Sequence, residues 1–93
     1  MYPNTKSPSI EFVEESVIRI VADHLGRPAA TLQPEMHIIL DLGADSFDHF
    51  ELIMTIEEHF SIDLRKTSAD SMLTISAIVA LVHRGLLTTK DSP

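Results

Sequence analysis

Proline stands at positions 3, 8, 28, 34 and 93, which leaves Glu35 to Ser92 without one. A proline inside a helix removes a backbone hydrogen bond and clashes with the preceding turn, at about 3 kcal/mol or more, so this pattern decides where long helices can run. Each of the three glycines, Gly26, Gly43 and Gly85, borders an apolar-periodic segment. The spacing predicts helices separated by marked turns.

The first segment opens on Ser7-Pro8-Ser9, a cap hydroxyl with a proline suited to a first helical position, and continues with Ile10, Val13, Val17, Ile20 and Val21. Spacings of three and four make it an amphipathic helix. Glu11, Glu14 and Glu15 suit the positive end of its dipole, and Gly26 with Pro28 stops it near Leu25. From Arg27 to Asp45 the period is lost, yet Leu32, Met36, Ile38, Ile39, Leu40 and Leu42 are too apolar for a solvated linker. This stretch reads as a long loop pinned onto a helical core. A strand through Met36–Leu40 is the competing reading, rejected because no partner strand is evident.

Asp45 can cap the next helix, with Asp48 at its third position and Ser46 as its first residue; the helix runs to Phe60. A short helical turn is expected around Thr67–Ser71. Thr74 then caps Ile75, Ile78, Val79 and Val82, while His83, Arg84 and Gly85 close the last helix near residue 84. The expected fold class is all-α: a small antiparallel four-helix bundle, three main helices plus a short third one, with a long loop between helices 1 and 2. It forms one domain over 1–93, structured over about 9–85, with flexible tails at 1–8 and 86–93.

Composition narrows the function. Ninety-three residues make one small core, and fourteen acidic residues against seven Lys plus Arg leave a formal charge of −7. Nucleic acid and anionic membrane surfaces are therefore poor partners. The absence of Cys removes disulfides, thiolate nucleophiles and Cys-type metal sites. No run approaches the ~18–20 apolar residues of a membrane span, and MYPNTKSPS lacks the apolar middle of a secretory signal, so a cytoplasmic monomer is expected.

Seven carboxylates and no Lys or Arg lie between Asp41 and Asp63: Asp41, Asp45, Asp48, Glu51, Glu57, Glu58 and Asp63. At 100° per residue Leu52, Ile53, Ile56 and Phe60 form the core stripe of this helix. Phe47, Phe50 and Met54 fall on an adjoining sector among Glu51, Glu57 and Glu58, with Ser46 at its head. An apolar strip edged by carboxylates suits a partner with a basic rim and an apolar centre. Packing of the two Phe against the 27–45 loop is the alternative. His49 falls on the core side and reads as a hydrogen-bonded buried residue.

Catalytic readings fail on geometry. Asp45, Ser46 and His49 are too close on one helix start to put the imidazole between hydroxyl and carboxylate, and no G-x-S-x-G elbow exists. No metal site is expected: H-E-x-x-H is missing, and a calcium loop from Asp41 would need Glu where Leu52 stands.

The run Asp41-Leu42-Gly43-Ala44-Asp45-Ser46, continued by Asp48, Glu51-Leu52 and Glu57-Glu58-His59-Phe60, resembles the acyl carrier protein signature, and the similarity extends from the first helix to Thr74–Val82. The resemblance implies a non-catalytic carrier whose Ser46 receives 4′-phosphopantetheine from coenzyme A through a phosphopantetheinyl transferase, with Asp45 presenting the serine. Acyl groups would ride on the arm as thioesters, in fatty acid, polyketide or specialised lipid biosynthesis. Phe47, Asp48, Phe50, Glu51, Met54, Glu57 and Glu58 would recognise acyl-transferring synthases through their basic patches. Ile38, Ile56, Leu64, Ala69, Met72 and Ile78 would line an acyl cleft.

Departures from the family pattern are Phe47 for Leu, Phe50 for a smaller aliphatic residue, Arg65-Lys66 in an acidic stretch, and Ile78 at a position of small residues, where it would narrow the cleft. They favour a carrier dedicated to one specialised pathway. The alternative from another class is an unmodified helical adaptor binding through the acidic and apolar face of helix 2.

Overall fold

The computed structural model describes residues 9–65 and 67–90, without the side chains of Ala69 and residues 88–90. Its described residues form three α-helices, α1 (Ile10–Leu25), α2 (Ser46–Phe60) and α3 (Ile75–Lys90), with 3₁₀ turns at Ala29–Thr31 and Ala69–Met72. They contain no strand. The all-helical expectation holds at that level, and a 3₁₀ turn stands where the short third helix was expected. Helix α1 packs against both α2 and α3.

Helix α1 starts at Ser9, whose hydroxyl accepts from the Phe12 amide at 3.1 Å, and it stops at Gly26 with φ 68°. That left-handed conformation is one glycine adopts without penalty, and it lets the Arg27 amide reach the Ala22 carbonyl at 2.9 Å. Val13, Val17 and Val21, one turn apart, have no exposure. They meet Leu52 and Ile56 of α2 and Ile75, Ile78 and Val82 of α3 in one core. Each such side chain contributes about 1.5–3 kcal/mol by leaving water.

The loop between α1 and α2 is pinned as expected. Leu32, Ile38, Leu42 and Ala44 are buried. Three backbone bonds tie the loop to the head of α3: Ile38 N to Leu73 O at 2.7 Å, Ile75 N to Met36 O at 3.1 Å, and Ser76 N to Pro34 O at 2.8 Å. The strand considered for Met36–Leu40 reduces to one antiparallel bridge between His37 and Thr74. A partner did exist, on a segment whose proximity only the folded chain creates.

The expected stop of the last helix at Gly85 does not occur. Thr74 caps as predicted, its hydroxyl accepting from the Ala77 amide at 3.1 Å, but α3 continues to Lys90. Positive φ among the described glycines is confined to Gly26 and Gly43. Gly85 stays helical because the helix packs there against Ile62, and Leu86 beyond it joins the core edge. Residues 86–90, expected as tail, are therefore helical; 1–8 and 91–93 lie outside the described residues. A Cβ on Gly85 would meet Ile62 atoms at 3.5–3.7 Å, ordinary contact distances. Gly85→Ala is accordingly expected to raise stability by about 0.5–1 kcal/mol, read as a higher melting temperature by circular dichroism.

Candidate functional site

The head of α2 is built by the loop before it. The His37 amide donates to the Asp41 carboxylate at 2.7 Å, while His37 Nδ1 accepts from the Ile39 and Leu40 amides at 3.1 and 3.0 Å. Gly43, at φ 79°, reverses the chain, and the Arg27 guanidinium donates to the Leu42 carbonyl at 3.0 Å. Ala44 is buried, which anchors the two exposed residues that follow. Asp45 then accepts from the Asp48 amide at 2.8 Å, and Asp48 accepts in return from the Asp45 amide at 3.4 Å. This reciprocal capping box satisfies both ends of the first turn.

Ser46 is the first residue of α2 and is exposed. A hydroxyl there stands at the positive end of the helix dipole, beside first-turn amides, and both nearby carboxylates are engaged with backbone. These residues fit a covalently attached phosphodiester.

Ser46 also borders a cleft of about 440 Å³ between α2 and the 64–73 segment. Ile39, Phe50, Ile53, Met54, Leu64, Met72 and Leu73 form its apolar wall, with Glu57, Arg65, Thr67 and Asp70 as polar lining. Of the six residues expected there, Leu64 and Met72 line it. Ile38, Ile56 and Ile78 have no exposure and lie in the core instead. The side chain of Ala69 lies outside those described. Ile39 and Leu73 were missed because neither belongs to a helical period, and Ile53 because its spacing reads as pure core.

On the outward face, Phe47, Phe50 and Met54 are 65%, 61% and 44% exposed, so the two Phe do not pack into the loop. A shallow groove gathers Phe47, Phe50, Glu51, Met54 and Glu58, together with His24 from α1, which the sequence did not single out. Phe50 and Met54 form the ridge between this groove and the cleft.

The carboxylates differ in what they hold. Glu57 is half-buried and accepts from the Leu64 amide at 2.6 Å, and Asp48 belongs to the capping box, whereas Glu51 and Glu58 are exposed. Arg65 donates two bonds to Asp63, both at 3.0 Å. The hydrogen bond, then the charge, of Asp63 raises the guanidinium's pKa. Lys66 lies outside the described residues.

His49 is buried, and its Nε2 lies 2.6 Å from the Met72 carbonyl. That bond ties the ring to the segment before α3. Among the described residues no group of His and carboxylates is placed to hold a metal ion, and no helix is long and apolar enough to cross a membrane.

A family profile described as "Phosphopantetheine attachment site" matches residues 15–82. The chain is 40% identical over 72 residues to an acyl carrier protein of Sinorhizobium fredii and to the acyl carrier protein AcpP of Rhizobium meliloti, covering 77% of this chain and 92% of each relative. It is also 40% identical over 70 residues to an acyl carrier protein of Nitratidesulfovibrio vulgaris, 75% of this chain and 92% of that one.

Proposed function

The chain belongs to the acyl carrier protein family, and we propose that it carries acyl intermediates on an arm attached to Ser46. It is a non-catalytic carrier with covalently bound 4′-phosphopantetheine. That group supplies a thiol for thioesters, which a chain without Cys cannot supply itself. The observation that carries the assignment to Ser46 is an exposed hydroxyl at the capped head of α2 and at the mouth of an apolar cleft. Asp45 holds the helix start that presents it, and Arg27 steadies the preceding loop through Leu42. The test is intact mass before and after incubation with coenzyme A, magnesium and a broad-specificity phosphopantetheinyl transferase.

The outward face of α2 is the docking surface in this reading. Glu51 and Glu58, two turns apart and exposed, attract the Lys and Arg of a transferase or synthase, while Phe47, Phe50 and Met54 fill an apolar centre. Such charge attraction raises the association rate and weakens with salt, which suits a shuttle that must leave again. The two exposed Phe add an apolar area that favours a dedicated partner, in a specialised lipid or polyketide pathway rather than general fatty acid synthesis.

Replacing Glu51 and Glu58 together by Gln is expected to lower affinity for the cognate synthase at low ionic strength and to flatten its salt dependence, measured by titration calorimetry. Unchanged binding at low salt would sink the electrostatic part of this reading.

A further inference from the structure

His49 stands one helical turn after Ser46, and both line the cleft. The residue is 4% exposed, in a wall whose other contributions from α2 and the 64–73 segment are mostly apolar. A carbonyl oxygen only accepts, so the 2.6 Å contact with Met72 O places the hydrogen on Nε2. In the neutral ring Nδ1 is then a lone-pair acceptor. No hydrogen bond to it is made by any described residue. Among the described residues no buried side-chain nitrogen or oxygen lacks a partner. His49 contributes to the cleft wall, and Nδ1 is the ring nitrogen not engaged with Met72.

A single fixed acceptor in an apolar wall orients whatever donor enters, because a donor left unpaired there loses its hydration. Residues three apart on a helix are neighbours, so a chain rooted at Ser46 and entering the cleft meets this acceptor near the mouth. We propose that His49 Nδ1 accepts a hydrogen bond from an N–H or O–H donor on the arm at Ser46 or on the chain it carries. The proposal rests on the reading that Ser46 bears the arm. A pantetheine arm offers amide N–H groups and a hydroxyl, a saturated acyl chain offers no donor, and a 3-hydroxyacyl chain offers one. With the donor on the arm His49 is a positioning residue for the arm, and with the donor on the carried chain it is a specificity-determining residue for donor-bearing chains.

The experiment uses the full chain with ¹⁵N-labelled histidine, its loading at Ser46 verified by intact mass. The Nδ1 resonance is compared among the unloaded protein, the arm alone, the arm with hexanoyl and the arm with 3-hydroxyhexanoyl. An upfield displacement of Nδ1 with Nε2 unmoved is expected. Present with the arm alone, it makes the arm the donor; present only with 3-hydroxyhexanoyl, it makes the cargo the donor. Loaded protein with Nδ1 unmoved in all three forms overturns the inference alone, whereas failure to load at Ser46 overturns the carrier reading and this inference with it. His49→Phe keeps an aromatic ring and removes the Nδ1 acceptor together with the Nε2 donor to Met72, so its fold is checked by circular dichroism. The donor's own proton resonance, displaced in the wild type, is expected to lose that displacement in His49→Phe, and its persistence in the folded variant would also overturn the proposal.

Discussion

Ser46→Ala abolishes the mass increment that coenzyme A, magnesium and a phosphopantetheinyl transferase add to the wild-type chain, and with it all acyl transfer. The expected loss is complete because the new bond forms to the Ser46 oxygen, which alanine lacks, at the capped head of α2. The variant is also expected to fold. The side chain that caps α2 belongs to Asp45, accepting from the Asp48 amide at 2.8 Å, and alanine is the best helix former for the exposed position after it. An unchanged circular dichroism melt alongside the lost increment therefore assigns the effect to chemistry. An increment that survives in Ser46→Ala would place the arm on another residue. A wild type that takes no arm from several transferases would favour the unmodified adaptor, binding through Phe47, Phe50 and Met54.

Leu52→Ala has the largest expected effect on stability. Leu52 has no exposure and lies at the centre of the core that joins α1, α2 and α3. Truncating a buried leucine removes its transfer energy and leaves a cavity, together about 2–5 kcal/mol. At roughly 0.05–0.15 kcal/mol per residue, a domain of this size holds only about 5–14 kcal/mol in all. The melting temperature is expected to fall on the order of 10–30 °C, read by calorimetry or circular dichroism. Glu51→Ala, one residue away but exposed, is expected to stay within about 0.5 kcal/mol of the wild type. Equal melts for the two variants would contradict the division of α2 into a core stripe and an outward face.

The local signals were legible because each acts within one helical turn. Ser9 and Asp45 cap through hydroxyl or carboxylate bonds to the amide three residues on, and Gly26 takes the left-handed conformation that ends α1. The stripe of Leu52, Ile53 and Ile56 follows from the 3.6-residue period, as does the displaced sector of Phe47, Phe50 and Met54. Gly85 shows where such signals fail. As a local stop it competes with packing against Ile62 and with apolar residues beyond it, and the packing wins. Glu57 is a second case, since its spacing marks a solvated carboxylate and only the fold brings the Leu64 amide to 2.6 Å from it.

By itself the sequence determined the helical class, the capped start at Asp45–Ser46 and the family to which that start belongs, because caps, periods and signatures are contacts between near neighbours along the chain. The tertiary structure alone decided the walls of the cleft, the tautomer of His49 and the pinning of the loop on α3. Each of those depends on residues distant in sequence, as with His49 and Met72 or Arg27 and Leu42, and their meeting is set by how the helices pack rather than by any pattern within them.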